Sequence, residues 1–355
     1  MGDLPKKKAQ EYLVRKRIRI GSIIATVCVV AVIGFFASYN LRVWLAGTLL
    51  TTQHRHWAKY TLIGSDKLNA LMSEIDNPKV SNSSPLPIAP IPVKAPVRPV
   101  EQEPLEVKEE IPAPPQELNV SVEKIEKNIS ATHYFKGHVM VVNDPNRVHL
   151  VPTVVKKGRN GKPRGEWIDE FSERTKAIGG LNASGFSDPG GKSWATSPMG
   201  LIIIDGKLIQ DYSPTGGITA LGITYNGKLI TGAYKSQELL DLGVRDAVSF
   251  KPQLVVNGES LFPEETAAWG FQPRSAVGQR DDGAIVFIQV DGRSSTSIGA
   301  SMKDMADLML EQGVVNAMAM DGGTSAFMIH QGDILTDSPV SDPRGRFLPN
   351  AWMVY

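Results

Sequence analysis

Short apolar runs separated by glycines and Asx-Gly pairs dominate the chain from about Ser130 onward, where 28 of the 33 glycines fall. Most of these runs are rich in β-branched residues, which is typical of strands. The predicted strands are His138 to Val142, Val148 to Val155, Gly200 to Ile204, Leu221 to Tyr225, Gln253 to Val256, Ala284 to Val290, Asn316 to Met320 and Ala351 to Tyr355. Many strands and few helices predict an α+β domain built on mixed or antiparallel sheet, over about residues 130 to 355.

One helix in this region is well marked at both ends. Ser301 is a good N-cap, Asp304 completes a capping-box pattern, and Gly313 is placed to end the helix. Its apolar face consists of Met302, Met305, Leu308 and Met309. The pattern therefore predicts an amphipathic helix packed against the sheet.

The N-terminal pattern differs from that of the domain. Basic residues are concentrated between Lys6 and Arg19, and the uncharged run Ile20 to Tyr39 has about the 20 residues that cross a bilayer. This predicts a cytoplasmic tail at 1–19, a transmembrane anchor at 20–39 and an extracytoplasmic remainder. A cleaved signal peptide is the alternative, but the apolar character continues through Leu41 to Leu50, which favours an uncleaved anchor.

Two further segments precede the domain. Residues 40–76 are expected to form a helical juxtamembrane segment, in which His54 and His56 are interfacial residues and not metal ligands. Residues 77–118 contain 11 of the 24 prolines and predict an extended linker. At about 3.1 Å per residue it could span on the order of 100 Å, which suits a cell envelope.

Composition excludes several classes of function. Lys and Arg total 38 against 37 Asp and Glu, so no overall charge favours a nucleic acid partner. The single cysteine, Cys28, lies in the apolar N-terminal run. A disulfide framework, a thiolate zinc site and a cysteine nucleophile are therefore not expected.

Seven Asx-Gly pairs allow turns to be compared with candidate catalytic positions. Asp205, Asn226 and Asp282 each lie between two strand-like runs and predict simple hairpins. Asp291 is instead followed by a polar loop that runs into the helix cap at Ser301. Asp321 is followed by a second glycine and by Thr324 and Ser325, which a two-residue turn does not need.

Asp321, Asp291 and Arg274 are the candidates for chemistry. The Asp321 carboxylate is expected at a strand end, beside backbone N–H groups of Gly322 and Gly323 that could form an anion-binding nest. Arg274 directly precedes a predicted strand and could grip a phosphate with its planar fork of donors, although a solvated surface arginine is the commoner case. The "GGKS" after Asn182 lacks the spacing of a nucleotide-binding loop.

The motifs "LNASGF", "SPMGLIIIDGKLI", "PQLVVNGES", "PRSAVGQRDDGAIVFIQVDGR", "MAMDGGTSAF" and "LPNAWMVY" occur in one order between Ser130 and Tyr355. Read together, this series resembles the phosphodiester glycosidase family. The resemblance implies a glycoside hydrolase whose characteristic positions are Asn182, Gly200, Arg274, Gly278, Asp291, Asp321, Gly322 and Gly323. This chain departs from the family at Thr324, where a third glycine is common, and at "SGF", where many members have two aromatic residues.

The resemblance implies hydrolysis of the glycosidic bond of a sugar-1-phosphodiester. A phosphomonoester leaves fairly readily, so the site needs mainly to screen the phosphate and to supply a carboxylate. Asp321 is the first candidate for the carboxylate and Asp291 the second. Asn182, Arg274, Gly322, Gly323 and Thr324 are expected to bind the substrate, and a metal, if one is used, should be Ca²⁺ or Mg²⁺.

Bacterial family members with an anchor suggest an envelope glycan or a teichoic-acid-like polymer as the substrate, at the cell membrane. A non-catalytic module that binds glycans or assists wall or exopolysaccharide assembly is the alternative. A serine peptidase or esterase is disfavoured because no Ser/His/Asp pattern and no Gly-x-Ser-x-Gly elbow is present.

Overall fold

The computed structural model describes residues 4–52, 54–84, 120–158, 161–187, 194–337, 340 and 342–355. Most of the proline-rich linker predicted at 77–118 therefore lies outside the described residues. The helices are α1 Leu4–Ala37, α2 Tyr39–Leu50, α3 Ser65–Asp76, α4 Ile168–Thr175, α5 Ser236–Asp241 and α6 Met302–Glu311, with 3₁₀ turns at Arg55–Thr61, Pro145–Arg147 and Gly323–Ser325.

Nineteen strands are present in the described part of the chain. They are β1 Val120–Ser130, β2 His133–Val142, β3 Val148–Pro152, β4 Lys156–Lys157, β5 Pro163–Arg164, β6 Gly179–Asn182, β7 Ile202–Ile204, β8 Lys207–Gln210, β9 Ile218–Thr224, β10 Leu229–Tyr234, β11 Val244–Ser249, β12 Gln253–Val256, β13 Glu259–Ser260, β14 Arg274–Arg280, β15 Ile285–Val290, β16 Val314–Met320, β17 Met328–His330, β18 Asp333–Ile334 and β19 Asn350–Val354. Each predicted strand overlaps one of these.

The strands form three main antiparallel sheets. A seven-stranded sheet has the order β1-β2-β15-β14-β16-β12-β13, and two five-stranded sheets have the orders β18-β17-β6-β19-β3 and β10-β9-β11-β7-β8. All described pairings of these strands are antiparallel. The helix-and-antiparallel-sheet part of the fold prediction is therefore correct.

The seven-stranded sheet is the central layer, and its inner strands β12, β14, β15 and β16 are buried on both faces. Along β15, Val286 and Ile288 belong to a core shared with α2, α3 and α6, while Ile285 and Phe287 belong to a core shared with the two smaller sheets. This alternation is the expected consequence of side chains pointing to opposite faces of a strand. Helices α4 and α5 then cover the outer faces of the smaller sheets.

The prediction of a transmembrane helix is wrong. The described residues contain no helix that combines the length and the apolarity of a membrane span. The apolar residues that continue beyond Tyr39, which favoured an anchor, have another role. Val43, Ala46 and Leu50 of α2 pack into the core beneath the seven-stranded sheet.

The juxtamembrane segment predicted at 40–76 is helical, as α2, the 3₁₀ turn and α3, and it packs on the domain. Trp44 stacks on Phe271 with ring centroids 4.3 Å apart. The first strand, β1, starts at Val120, whereas the domain was predicted from about Ser130. Helix α6 is capped by Ser301 and Asp304 as predicted.

Candidate functional site

Three strand ends meet at one end of the seven-stranded sheet. Strand β14 runs antiparallel to both β15 and β16, with Arg274 opposite Val290 and Ser275 opposite Met320. The start of β14 therefore lies beside the ends of β15 and β16. Asp321 follows β16 directly, and the chain continues into the 3₁₀ turn Gly323–Ser325 instead of returning as a hairpin.

Asn182, the last residue of β6, ties the Asp321 loop to two sheets. Its Nδ2 donates to the Asp321 carbonyl at 2.6 Å, and its Oδ1 accepts from Ser275 Oγ at 2.7 Å and from Phe327 N at 3.1 Å. Asp321 N in turn donates to the Ala183 carbonyl at 3.0 Å. A buried side-chain amide with its polar atoms bonded fixes the direction in which the loop leaves β16.

The Gly322-Gly323 bend is only partly the nest expected from the sequence. Gly323 has φ +62°, a conformation that glycine adopts readily. Its N–H, however, donates to the Pro273 carbonyl at 2.8 Å and so is directed at the protein. This bond fastens the loop beside the start of β14.

Arg274, which was predicted to bind the substrate phosphate, directs most of its described donors at the backbone. Its Nη2 donates to the carbonyls of Trp269 at 2.6 Å and Gly270 at 3.1 Å, and its Nε donates to that of Ala300 at 3.3 Å. Burial, with the nearby Arg293 cation, lowers the pKa of Arg274 to about 9, so it remains charged at neutral pH. It contributes positive potential while most of its described donors hold backbone in place.

These residues border a cavity of about 620 Å³. Among the described residues that line it, Asp321 is the only carboxylate, whereas Lys251, Arg274, Arg293 and Arg346 are all basic. Gly322, Gly323 and Thr324 also line it, and Asn182 holds the loop from behind. An excess of cations around one carboxylate suits an anionic substrate.

Asp291, two residues before Arg293, is not among the described residues that line this cavity. Its carboxyl is buried, and Oδ1 accepts from Gln289 Nε2 at 2.9 Å and from Asp337 N at 3.0 Å. Burial raises the pKa of Asp291 to about 6, although both of these hydrogen bonds lower it. Asp291 is absent from the described lining residues, and its predicted catalytic role stays a prediction.

Comparison with known proteins identifies the family of the chain. The model of a family described as phosphodiester glycosidase matches residues 175–355, just over half of the chain. The chain belongs to the phosphodiester glycosidase family. The matched region contains Asn182, Arg274, Asp321 and Arg346, and thus the central part of the cavity wall.

Individual relatives agree with the family match. The chain is 31% identical over 186 residues to the SPbeta prophage-derived uncharacterized protein YomE of Bacillus subtilis, covering 50% of this chain and 28% of that protein. It is 27% identical over 173 residues to mouse N-acetylglucosamine-1-phosphodiester alpha-N-acetylglucosaminidase, covering 43% and 32%. The match thus spans about a third or less of each relative's length.

A solved structure supports the fold. The catalytic domain of zebrafish N-acetylglucosamine-1-phosphodiester alpha-N-acetylglucosaminidase superposes with a TM-score of 0.55 at 21% identity, over 67% of this chain and 83% of that one. At this identity the likeness shows that the two chains share a fold.

One group of described side chains could hold a metal, and it lies outside the cavity lining. Ligand atoms of His133, Glu265 and Asp304 lie within 4.8 Å of one another. His133 Nε2 is 2.8 Å from Asp304 Oδ2, and that oxygen also accepts from Ser301 N at 2.7 Å in the α6 capping box. Ser301 Oγ also donates to Glu265 Oε1 at 3.2 Å. The Ca²⁺ or Mg²⁺ prediction stays a prediction.

Two parts of the cavity wall were missed in the sequence. Arg293 and Arg346 line the cavity, but each follows glycine in a polar loop and resembles an ordinary surface arginine. Leu49, Thr51, Thr52 and His54 form a further wall from outside the family match. The position of Arg293, two residues after Asp291, could have pointed to it in the sequence. No sequence feature pointed to the wall formed by Leu49, Thr51, Thr52 and His54, which is called the α2 wall below.

Proposed function

We propose that the chain hydrolyses the glycosidic bond of a sugar-1-phosphodiester, releasing the sugar and a phosphomonoester. The observation that carries this proposal is the single carboxylate, Asp321, set among four basic residues in the described cavity lining. The names of the mammalian relatives support N-acetylglucosamine as the sugar.

The proposed chemistry needs few groups. Water adds to the anomeric carbon, its proton passes to the Asp321 carboxylate, and the bond to the phosphate oxygen breaks with its electron pair on that oxygen. Charge that develops on the leaving phosphate is stabilised by the Arg293 and Arg274 cations in a partly enclosed site. Because a phosphomonoester leaves readily, no second carboxyl group is needed as a general acid.

We further propose that the substrate belongs to an envelope glycan or a teichoic-acid-like polymer and is met outside the cytoplasm. The cationic cavity supports an anionic polymer.

The test is release of free sugar from the methyl phosphodiester of N-acetylglucosamine 1-phosphate. Wild type should release N-acetylglucosamine, and Asp321→Asn should lose at least about 10²-fold in rate, the size of a general-base contribution. Asp282→Asn, in the exposed hairpin turn between β14 and β15, is the matched control and should keep wild-type activity.

Circular dichroism and thermal melting establish that each variant is folded. A fully active Asp321→Asn variant would sink the proposal. Reversible binding of the diester with no sugar released by wild type would favour the alternative of a glycan-binding module.

A further inference from the structure

Gln272 links the cavity to helix α2 through its side-chain amide. The residue is almost fully buried and lies in the cavity wall. Its Oε1 accepts from Arg293 Nε at 3.1 Å and also from Arg293 Nη2. Its Nε2 donates to the Thr48 carbonyl at 3.0 Å and to Thr51 Oγ1 at 3.1 Å. Both lone pairs and both N–H groups of the amide are therefore used in a bridge between Arg293 and α2.

The chain around Gln272 is itself held against α2. A Cβ atom added to Gly270 would lie 2.2 Å from Thr48 Oγ1, so the backbone passes very close to the helix there. Phe271 stacks on Trp44 of α2. Three consecutive residues, ending with Gln272, thus contact α2.

Arg293 occupies a defined position beside the Asp321 loop. Its φ is +60°, a backbone conformation that residues other than glycine rarely adopt unless their surroundings hold them in it. A Cβ atom added to Gly323 would lie 3.2 Å from Arg293 Nη2. The guanidinium therefore lies between the Gln272 amide and the loop that carries Asp321.

The partner of the Arg293 guanidinium in this bridge is neutral. A carboxylate in the same place would form a charge-assisted pair and would compete with a substrate phosphate for the cation. An amide oxygen orients the guanidinium through hydrogen bonds but adds no negative charge. The Gln272 bridge therefore fixes the direction of Arg293 without neutralising it.

Building on the proposed function, we propose that Gln272 is a positioning residue that couples phosphate recognition by Arg293 to the docking of α2. The phosphate of the diester binds Arg293, and Gln272 keeps the guanidinium oriented towards it. Helix α2, which lies outside the family match, supplies the two acceptors that fix the Gln272 amide.

Binding of two matched ligands tests this role without relying on turnover. The methyl phosphodiester of N-acetylglucosamine 1-phosphate and methyl N-acetylglucosaminide differ by the phosphate, and ligand-observed NMR titration of the Asp321→Asn chain measures both affinities. Gln272→Met keeps the length of the side chain and removes its hydrogen bonds. The diester should then bind about tenfold more weakly, as expected when hydrogen bonds to a charged group are lost, whereas the neutral glycoside should bind as before.

Gln272→Glu examines the charge. Its carboxylate can still accept from Arg293, but it neutralises the guanidinium and cannot donate to Thr48 or Thr51. The diester should bind at least as weakly as it does to Gln272→Met. A Gln272→Glu chain that keeps the full affinity for the diester contradicts the role of a neutral partner.

Thr51→Val examines the coupling from the side of α2. It removes one acceptor of the Gln272 amide and leaves the Thr48 carbonyl, so it should give a smaller loss that is again confined to the diester. Because Thr51 acts through Gln272, the double variant should bind the diester no more weakly than Gln272→Met alone. Additive losses would show that Thr51 does not act through Gln272.

Gln253→Met is the matched control. Gln253 is also a buried amide that ties the N-terminal segment to a sheet, since it bonds Ser81 and Thr231, but it is not among the described lining residues. This variant should lower the melting temperature and leave the preference for the diester over the glycoside unchanged. The proposal is overturned by an unchanged preference in Gln272→Met, by equal losses for both ligands, or by a parent chain that shows no preference.

Kinetics connect the bridge to the reaction. With Asp321 intact, Gln272→Met should lower kcat/KM for the diester about tenfold, in line with its loss of affinity. Unchanged kcat/KM counts against the positioning role. Failure of wild type to release sugar from the diester counts instead against the proposed hydrolysis and leaves the binding test decisive.

Discussion

At the residue scale, Asn182 shows how one side chain can determine where the Asp321 loop lies. Its amide bonds Asp321, Ser275 and Phe327 together, and it is almost fully buried. Asn182→Ala would leave buried donors and acceptors unpaired, at about 1–3 kcal/mol for an unsatisfied group. We expect the free energy of unfolding in urea to fall by this amount and kcat to fall with it, because the Asp321 loop loses its tie.

Ser275→Ala provides the comparison for this prediction. It removes only the Ser275 hydroxyl from Asn182 Oδ1 and leaves the bond to Asp321. A double-mutant cycle should therefore show coupling between the two positions. If Asn182→Ala unfolds at the wild-type urea midpoint with unchanged kcat, the amide does not have the positioning role assigned to it.

The buried carboxyl group of Asp291 should make the stability of the protein depend on pH. Burial raises its pKa from 3.8 to about 6, so the folded protein binds this proton more tightly than the unfolded chain does. The contribution of Asp291 to stability is therefore highest at low pH and declines as pH rises from about 4 to about 6. At 1.36 kcal/mol per pH unit, the decline amounts to at most about 3 kcal/mol.

Asp291→Asn is expected to remove the loss of stability that occurs as pH rises from about 4 to about 6. Its amide oxygen can still accept from Gln289 and Asp337, but it never ionises. The variant should become more stable than wild type as pH rises through this window and should keep a constant advantage above it. Urea unfolding at pH 4, 5, 6 and 8 gives the difference, and a difference that does not vary with pH contradicts the prediction. Lost activity in a stable variant would support the predicted catalytic role.

The sequence predicted where the candidate site lies better than it predicted the contacts that each side chain makes. Asn182, Arg274 and the Asp321 loop meet in the structure. Their positions at strand ends could be predicted from the sequence, because each borders a short apolar run. The partners of Arg274 were not readable, since carbonyls of Trp269 and Ala300 reach it only through the fold. Comparison of the Asx-Gly pairs distinguished Asp321 from simple turns, but it could not identify Arg346.

At the element scale, local patterns were reliable where one element determines its own form. Helix α6 begins at Met302 behind the Ser301 cap, and Asn316 to Met320 lies within β16 as predicted. The apolar residues of α2 favoured an anchor at 20–39, because an apolar helical sequence is compatible with burial in protein or in lipid. In the structure Val43, Ala46 and Leu50 are buried in the protein core, and Trp44 stacks on Phe271.

A displacement of α2 should change the wall of the cavity and weaken substrate binding. At Gly47 an added Cβ atom would lie 1.5 Å from the Ala267 carbonyl oxygen, so Gly47→Ala must displace the helix. Such overpacking costs about 1–3 kcal/mol. Because Thr51, Thr52 and His54 follow this helix and line the cavity, we expect KM for the diester to rise together with a lower melting temperature.

Gly34→Ala is the matched control, since nothing lies within 4 Å of the added atom in α1. It should leave both KM and the melting temperature close to wild type. A Gly47→Ala chain with unchanged KM would show that the α2 wall does not contact the substrate.

At the scale of the whole molecule, residues 39–84 complete the layered structure. Val43, Leu50, Ile63, Leu71 and Ile75 are buried in the same core as α6 and the seven-stranded sheet. Further along, Ser83 N donates to the Thr231 carbonyl at 2.8 Å, and Thr231 N donates to Ser83 Oγ at 2.9 Å. The segment is thus bound to two of the three sheets.

Two truncated chains measure how much the fold depends on this segment. Burial stabilises each large apolar side chain by about 1.5–3 kcal/mol, and the five just named together approach the net stability of a domain, about 5–15 kcal/mol. Ordering the segment offsets part of this gain. Removal of residues 1–37 should leave a chain that melts cooperatively and releases sugar. Removal of residues 1–84 should expose Phe262 and Trp269, lower the melting temperature steeply and promote aggregation. If the shorter chain melts and turns over like the longer one, α2 and α3 do not belong to the catalytic unit.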